Sequence, residues 1–394
     1  MTPEQQFELL ACGTVKIVPE DELLARLRTA RPLRVKLGVD PTAPDIHLGH
    51  TVPLFKLRQF QELGHQVVLI IGDFTALIGD PSGRSATRPA LDSAAVEAHA
   101  RTYAEQVFKV LDPARTEVHR NSEWLAAMTL KDVIALAAKM TVARMLERDD
   151  FRQRYAAGVS IGLHEFLYPL LQGYDSVAVG ADVEIGGTDQ TFNLLVGRDL
   201  QHDAGQPGQV AVVLPLLEGT DGVQKMSKSL GNHIGIAEPP EEIYGKVMSL
   251  SDASMLRYYD VLSTVAEADR QAIRDGTVHP MAAKKALASE LVGRFHGTAA
   301  AADAARFFEE RFQKRSAHRP KLVRLEGADD IWICQLIKDV GFAPSTSEAR
   351  RLVAQGAVRV DGRPVDVDFR FRRGRDRLLE VGRRRIAEVT WAAG

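Results

Sequence analysis

Cysteine is almost missing from this chain, with two in 394 residues. Cys12 and Cys334 lie far apart and belong to no CxxC or Cys/His cluster, so neither a zinc site nor a disulfide framework is expected, only two buried thiols. Long apolar runs are missing too. Residues 67–71 and 210–217 are broken by Gly, Pro or charge well short of the roughly 20 residues that a membrane-crossing helix requires. The N-terminal stretch carries Glu4 and Glu8 and lacks the basic start and apolar core of a signal peptide, so a cytoplasmic protein is expected. Internal repeats and low-complexity tracts are absent. The net charge of −2 is uninformative until it is divided by region. Residues 331–394 hold 13 Lys plus Arg against 8 Asp plus Glu, so a basic tail follows an acidic body and points to a polyanionic partner.

What is present reads as an α/β protein. Residues 4–30 have the spacing of two short helices, the second with Leu23, Leu24 and Leu27 on one side. A strand over 33–40, a helix over 48–63 closed by Gly64, and a strand over 67–72 follow. Near-continuous apolar strands around a helix mark a parallel sheet covered on both faces. Residues 79–89 read as a loop, 92–111 as a helix, and 121–158, rich in Met, Ala and Arg, as a helical insertion. Residues 163–174 read as a helix, 177–179 and 183–185 as short strands, 188–202 as a helix, and 210–217 as a strand leading to a loop over 220–230. Helices alone are expected from 233 to 312, and a linker over 313–325. The tail has the capping box Ser345-Thr-Ser-Glu348, a helix stopped by Gly356, and an Asp361-Gly362 hairpin turn. The expected organisation is a Rossmann-like parallel-sheet domain (1–232), an all-helical domain (233–320) and a small α+β domain (331–394).

The chemistry gathers where the first strand ends. Asp40-Pro-Thr42 leads into His47-Leu-Gly-His50 at a helix start, where free backbone N–H groups and the helix dipole favour phosphate. The two histidines, three apart, share a helix face. The loop Lys225-Met-Ser-Lys-Ser229 supplies two ammonium groups and two hydroxyls. The stretch Gly79-Asp-Pro-Ser-Gly83-Arg-Ser is one residue short of a P-loop and lacks its lysine. Tyr168, Gln172 and Asp175 fall at i, i+4 and i+7 of an otherwise apolar helix, which reads as a pocket wall or a satisfied core network. In Glu184-Ile-Gly-Gly-Thr-Asp-Gln190 the glycines permit close backbone approach and Asp189 opens a helix.

The pairing of HxGH with KMSKS, separated by half a fold, resembles the signature of the class I aminoacyl-tRNA synthetases, and the resemblance covers the whole chain. It implies that His47, His50 and Lys228, with Lys225 and Thr42 assisting, stabilise the ATP triphosphate while an amino-acid carboxylate attacks the α-phosphorus. It implies further ATP contacts at Asp40, Gly49 (adenine), Gly187 and Asp189 (ribose), Ser227 and Ser229. Tyr168, Gln172 and Asp175 resemble the pocket of the tyrosyl members. By that resemblance Tyr168 and Gln172 hold the α-amino group and Asp175 accepts from the phenol. Thr75 and Asp80 are further ammonium partners, Gln190 meets the carboxylate, and Gly38 lies in the pocket strand. Many tyrosyl members carry a tyrosine where this chain has Lys36, which would snorkel, pair with an acid or face away. Residues 347–360 resemble the RNA-binding fold of ribosomal protein S-four, implying that Arg350, Arg351, Arg359 and Arg363 face RNA phosphates.

The implied partners are tRNA, tyrosine, ATP as its magnesium complex, and a second copy of the chain through the 121–158 insertion, with no tightly bound metal. Three rivals arise from the same residues. A tryptophanyl enzyme shares fold and signatures, a non-catalytic RNA chaperone has no use for intact HLGH and KMSKS, and a metabolic nucleotidyltransferase leaves two RNA-side domains unexplained.

Overall fold

The computed structural model describes residues 1–41, 45–82, 93–313, 321–325, 330–372, 377–382 and 385–391, so Thr42 lies outside the described residues. The chain forms two compact units, Met1–Phe308 and Glu309–Gly394.

The first unit is built on a six-stranded sheet. Its strands are β1 (Lys16–Val18), β2 (Arg34–Val39), β3 (Gln66–Ile71), β4 (Thr116–Arg120), β5 (Val183–Gly187) and β6 (Val210–Leu214), in the order β1-β6-β5-β2-β3-β4. All neighbours pair parallel except the short edge strand β1, which runs antiparallel to β6. The strand order reverses between β2 and β5, and in open parallel sheets that switch point opens a crevice at the carboxyl ends of the strands.

The helices of this unit are α1 (Pro3–Ala11), α2 (Glu20–Arg28), α3 (Leu48–Glu62), α4 (Thr75–Ile78), α5 (Ser93–Val107), α6 (Ser122–Leu125), α7 (Leu130–Ala137), α8 (Val142–Met145), α9 (Asp149–Ala156), α10 (Leu163–Val179), α11 (Thr191–Asp203), α12 (Pro240–Ser249), α13 (Asp252–Leu262), α14 (Glu267–Arg274), α15 (Pro280–His296) and α16 (Thr298–Phe308). Side chains alternate along β2, so Val35 and Leu37 join the core around α3 while Lys36 and Asp40 reach α10 on the opposite face. The core does not stop at residue 232. Tyr244, Val247, Leu287 and Leu291 of the later helices share one continuous cluster with Leu54 and Phe60 of α3 and the sheet residues.

Several sequence expectations are corrected. Residues 177–179 are the last turn of α10, not a strand: the helix runs until Gly180 adopts a left-handed conformation (φ 59°) that ends it, and Val177 packs on the cluster around Leu170 and Leu200. Cys12 is exposed in the turn after α1, and only Cys334 is buried. Among the elements that the sequence pattern does not anticipate, three stand out. β1 is three residues long, β4 (Thr-Glu-Val-His-Arg) is a half-exposed edge strand without an apolar run, and α14 has no buried side chain.

The second unit has strands β7 (Lys321–Leu325), β8 (Asp330–Trp332), β9 (Val358–Val360), β10 (Arg363–Pro364), β11 (Arg370–Arg372), β12 (Arg377–Val381) and β13 (Arg385–Trp391), with helices α17 (Ile333–Asp339) and α18 (Thr346–Ala354). Its main sheet has the order β10-β9-β12-β13-β7 and its core is Ile333, Cys334, Ile337, Val353, Leu379 and their neighbours. β7 pairs parallel with β13, so the end of the expected linker is a strand. Asp361 and Gly362 both have positive φ (52° and 77°), as the two-residue hairpin between β9 and β10 requires.

Candidate functional site

The crevice at the switch point is lined by the segments that leave the carboxyl ends of the parallel strands. β2 delivers Asp40, β3 delivers Thr75 and Asp80, β4 delivers Asn121 and Trp124, and β5 delivers Gly187 to Gln190. Helix α10 crosses this edge with Tyr168, Gln172 and Asp175 turned inward; Tyr168 and Asp175 are buried.

At the centre is an opening. Gly38 is exposed although it lies in an interior strand, and a Cβ there would meet nothing within 4 Å. One rim is Asp40, whose carboxylate accepts from Thr75 Oγ1 (2.8 Å) and from the Tyr168 hydroxyl (2.9 Å). Another is Asp175, buried on α10, which accepts from Trp124 Nε1 (2.8 Å) and Asn121 Nδ2 (3.3 Å). Asn121 also donates to Thr75 (3.0 Å), tying the two rims together. Burial pushes the Asp175 carboxyl up to about 7, against the pull of Lys36 and the two donors.

Asn193 of α11 links the rest of the pocket. Its amide donates to Gln172 Oε1 (2.9 Å) and Gln190 Oε1 (3.0 Å), and Gln190 donates to Asp80 (2.8 Å). Buried Arg148 closes this chain of bonds by donating to Asn193 (3.1 Å) and Ser82 (2.9 Å). Lys36 is fully buried rather than turned away, and pairs with Glu184 at 3.0 Å.

The second half of the crevice is the start of α3. His47 is its extended N-cap residue (φ −115°), and its ring stacks on that of His50 with centroids 3.7 Å apart. Burial, followed by its cationic neighbours, drives His50 down to about 4 and His47 well below its ordinary value, so both rings are neutral near pH 7. His47 Nδ1 is buried with no hydrogen-bond partner. A Cβ on Gly49 would lie 3.1 Å from the His47 ring, so glycine here lets the stack form.

The loop 225–229 sits over this helix start. The Gly49 N–H meets Met226 Sδ (3.4 Å), Lys225 pairs with Asp189 (3.1 Å), Lys228 pairs with Asp45 (2.5 Å), and the Ser227 and Ser229 hydroxyls bond each other (2.9 Å). Just beyond the loop the backbone is tied down: the Leu48 N–H donates to Ile234 O (2.9 Å) and Ile236 N–H to Ile46 O (3.0 Å). Gly186 and Gly187 serve internal packing, since a Cβ would meet Gln190 at 3.0 Å in the first and Leu216 at 2.7 Å in the second.

The described site residues of the first unit thus gather along one crevice. Arg350, Arg351, Arg359 and Arg363 are exposed on the other unit, where Arg350 lies over the Trp332 ring at 5.5 Å and Arg351 pairs with Glu348 at 2.7 Å. Sequence reasoning missed Asn121, Trp124, Asn193, Arg148, Glu184 and Asp45. Asn121 and Trp124 come directly after β4, the strand it also missed; polar residues just past a parallel strand were the available signal. Among the described residues no group of three or more His, Cys, Asp or Glu is placed to hold a metal ion.

Comparison with known proteins extends this geometry. Residues 28–313 match the family of tRNA synthetases class I (W and Y), and residues 332–376 match the S4 domain. The tyrosine–tRNA ligase of Geobacter sulfurreducens is 53% identical over 403 aligned residues, covering 100% of both chains; that of Moorella thermoacetica is 54% identical, covering 98% of this chain and 95% of its own. In fold, the C-terminally truncated mitochondrial tyrosyl-tRNA synthetase of Aspergillus nidulans superposes with a TM-score of 0.65 at 23% identity, over 79% of this chain and 94% of that one. The Archaeoglobus fulgidus tyrosyl-tRNA synthetase, solved with L-tyrosine, gives 0.63 at 23% identity, over 77% and 100%. With a family match across most of its length and full-length relatives above half identity, the chain belongs to the class I tRNA synthetases of the tryptophanyl and tyrosyl group.

Proposed function

We propose that this chain is a tyrosine–tRNA ligase, which joins L-tyrosine to ATP as tyrosyl adenylate and passes the tyrosyl group to the 3′ end of its tRNA. The observation that carries the choice of amino acid is the buried Asp175 carboxylate, linked through Asn121 and Thr75 to Asp40 at the end of β2, the strand on which a Cβ at Gly38 would meet no described atom within 4 Å. A buried carboxylate whose other donors are already in place is an acceptor for a phenolic O–H. A substrate without that hydroxyl leaves it unpaired, which is why such a site rejects phenylalanine. Asp40, Thr75, Tyr168 and Gln172 along the same crevice suit an α-ammonium group, with Asp80 and Gln190 beside them.

In the first step a tyrosine carboxylate oxygen bonds to the α-phosphorus, the bond to the bridging oxygen breaks, and pyrophosphate leaves with that electron pair. Negative charge grows on the phosphoryl oxygens. His47 and His50, neutral, act as hydrogen-bond donors, while the positive charge comes from Lys228 and Lys225 once they exchange Asp45 and Asp189 for the triphosphate. ATP enters as its magnesium complex, the metal travelling with the substrate. Gly49 and the α3 backbone receive adenine, Asp189 and Gly187 the ribose, and Ser227 and Ser229 support the phosphates. Thr42, two residues after Asp40 in sequence, is assigned to the same phosphates.

The helical stretch after residue 232 serves the anticodon side, and the basic tail holds tRNA through Arg350, Arg351, Arg359 and Arg363. A second copy docks on 121–158, where Leu130, Ile134 and Val142 are exposed. No helix among the described residues is long and apolar enough to cross a membrane, and we place the enzyme in the cytoplasm with its tRNA. The test is tyrosine-dependent exchange of labelled pyrophosphate into ATP. Exchange with tyrosine and not tryptophan is expected; the reverse transfers the chain to the tryptophanyl side, and none with either amino acid overturns the enzymatic reading.

A further inference from the structure

Lys36 has no solvent exposure; its ammonium group donates to the Gln172 carbonyl (3.0 Å) and Ser176 Oγ (2.7 Å) and forms an ion pair with Glu184 Oε1 (3.0 Å). Lys36 and Glu184 are register partners on the parallel pair β2 and β5, at the switch point itself. Glu184 is equally committed, accepting from Gln172 Nε2 (3.3 Å), Ser176 Oγ (3.1 Å) and Gln209 Nε2. A buried ion pair is weak evidence for stability, because desolvation offsets much of the attraction and apolar residues fill such space as well. This one is placed where it touches the pocket helix twice, at Gln172 and Ser176 on either side of Asp175 in the chain, two residues along β2 from Gly38.

We infer that Lys36 is a positioning residue for amino-acid selection: clamped by Glu184, Ser176 and Gln172, it supplies the fixed positive charge beside Asp175 that keeps this carboxylate able to accept the phenolic hydroxyl. Among the described residues the charged groups acting on Asp175 include Lys36 on β2 and Glu184 on β5; Tyr168, bonded to Asp40, faces it from the same helix, and Asn121 and Trp124 reach it from the β4 side as neutral donors. Lys36 is the strongest influence opposing the burial of Asp175, and it outweighs the repulsion from Glu184. Without Lys36, Asp175 keeps only its two neutral donors against burial, and its protonated form is favoured, whether or not Glu184 is present. A protonated Asp175 offers its own hydrogen where the phenol also offers one.

The inference rests on the tyrosine reading, so the wild-type exchange assay is its control: if tyrosine supports no exchange, that reading fails before Lys36 is at issue. Removing the lysine alone strands Glu184, so the first variant is the uncharged pair Lys36→Gln/Glu184→Gln, and the second is Lys36→Arg, which keeps the charge. KM and kcat for tyrosine and phenylalanine are measured in the exchange reaction from pH 6 to 9. In the uncharged pair the tyrosine-over-phenylalanine ratio should fall at least tenfold at pH 7, through KM for tyrosine, and the acid limb of kcat/KM for tyrosine should move to higher pH. Lys36→Arg should keep most of the ratio. A wild-type ratio and pH limb in the uncharged pair overturn the inference, and so does a ratio lost to the same extent in Lys36→Arg. A third readout needs no stable variant. The Lys36 Nζ resonance of 15N-labelled wild-type protein should shift with tyrosine and stay with phenylalanine, and equal shifts overturn the role.

Discussion

Asp175 shows how one side chain is set by its surroundings. Ordinary aspartate ionises near 4, but this one is held up at about 7 because its site excludes water, and Lys36 with two hydrogen bonds recovers only part of that cost. The raised value has a direction. Above pH 7 the group is a carboxylate that accepts the phenol; as pH falls from 8 to 6 it takes up a proton, so KM for tyrosine should rise several-fold over that interval with kcat nearly constant. Asp175→Asn should remove this pH dependence and lower the tyrosine-over-phenylalanine ratio by about 100-fold, an order of magnitude for each 1.4 kcal/mol of a hydrogen bond to a charged group. A flat wild-type profile, or an Asn variant that still discriminates, removes Asp175 from recognition. At this scale much of the site could be read from spacing, because i, i+4, i+7 on one helix needs no tertiary knowledge. Lys36 could not be settled that way. Alternation along β2 places it on a face, but only the fold brings Glu184, 148 positions on, to meet it.

Among elements, α3 and α10 were legible because each pairs an apolar stripe with a chemical signature. The end of α10 was misread, since Val177 and Val179 have strand propensity that tertiary packing and the Gly180 cap override. β4 was illegible for the opposite reason: an edge strand half open to water needs no apolar alternation. The amphipathic α7 carries its own prediction. Leu130 and Ile134, one helical turn apart, are 76% and 61% exposed, against the usual economy of large aliphatic side chains. Burying each would contribute about 1.5–3 kcal/mol, counted twice across a two-fold interface. The 43.3 kDa chain should sediment as a dimer, and Leu130→Glu/Ile134→Glu should sediment at the single-chain mass while keeping its helical circular dichroism. A double variant that still sediments as a dimer places the interface elsewhere.

For the molecule as a whole, the division of charge follows the two compact units, the basic stretch 331–394 lying entirely in the second. Replacing Arg350, Arg351, Arg359 and Arg363 by alanine should leave tyrosine-dependent pyrophosphate exchange unchanged. It should also weaken tRNA binding and flatten its logarithmic salt dependence by about 3, at about 0.7–0.9 for each of the four phosphates no longer neutralised. An unchanged salt slope would take these arginines out of the RNA interface. What composition could not convey is that the helices after residue 232 share one core with the sheet. The same continuity gives the tie between Ile234–Ile236 and Ile46–Leu48 a further meaning. Ile234 is six positions after Lys228, so even a fully extended loop carries the lysine no more than about 22 Å from its anchor. A short tether of this kind holds two groups at an effective concentration of about millimolar. Lysine and histidines therefore meet equally often in a crowded cell and at extreme dilution, although their motifs stand half a fold apart in the sequence.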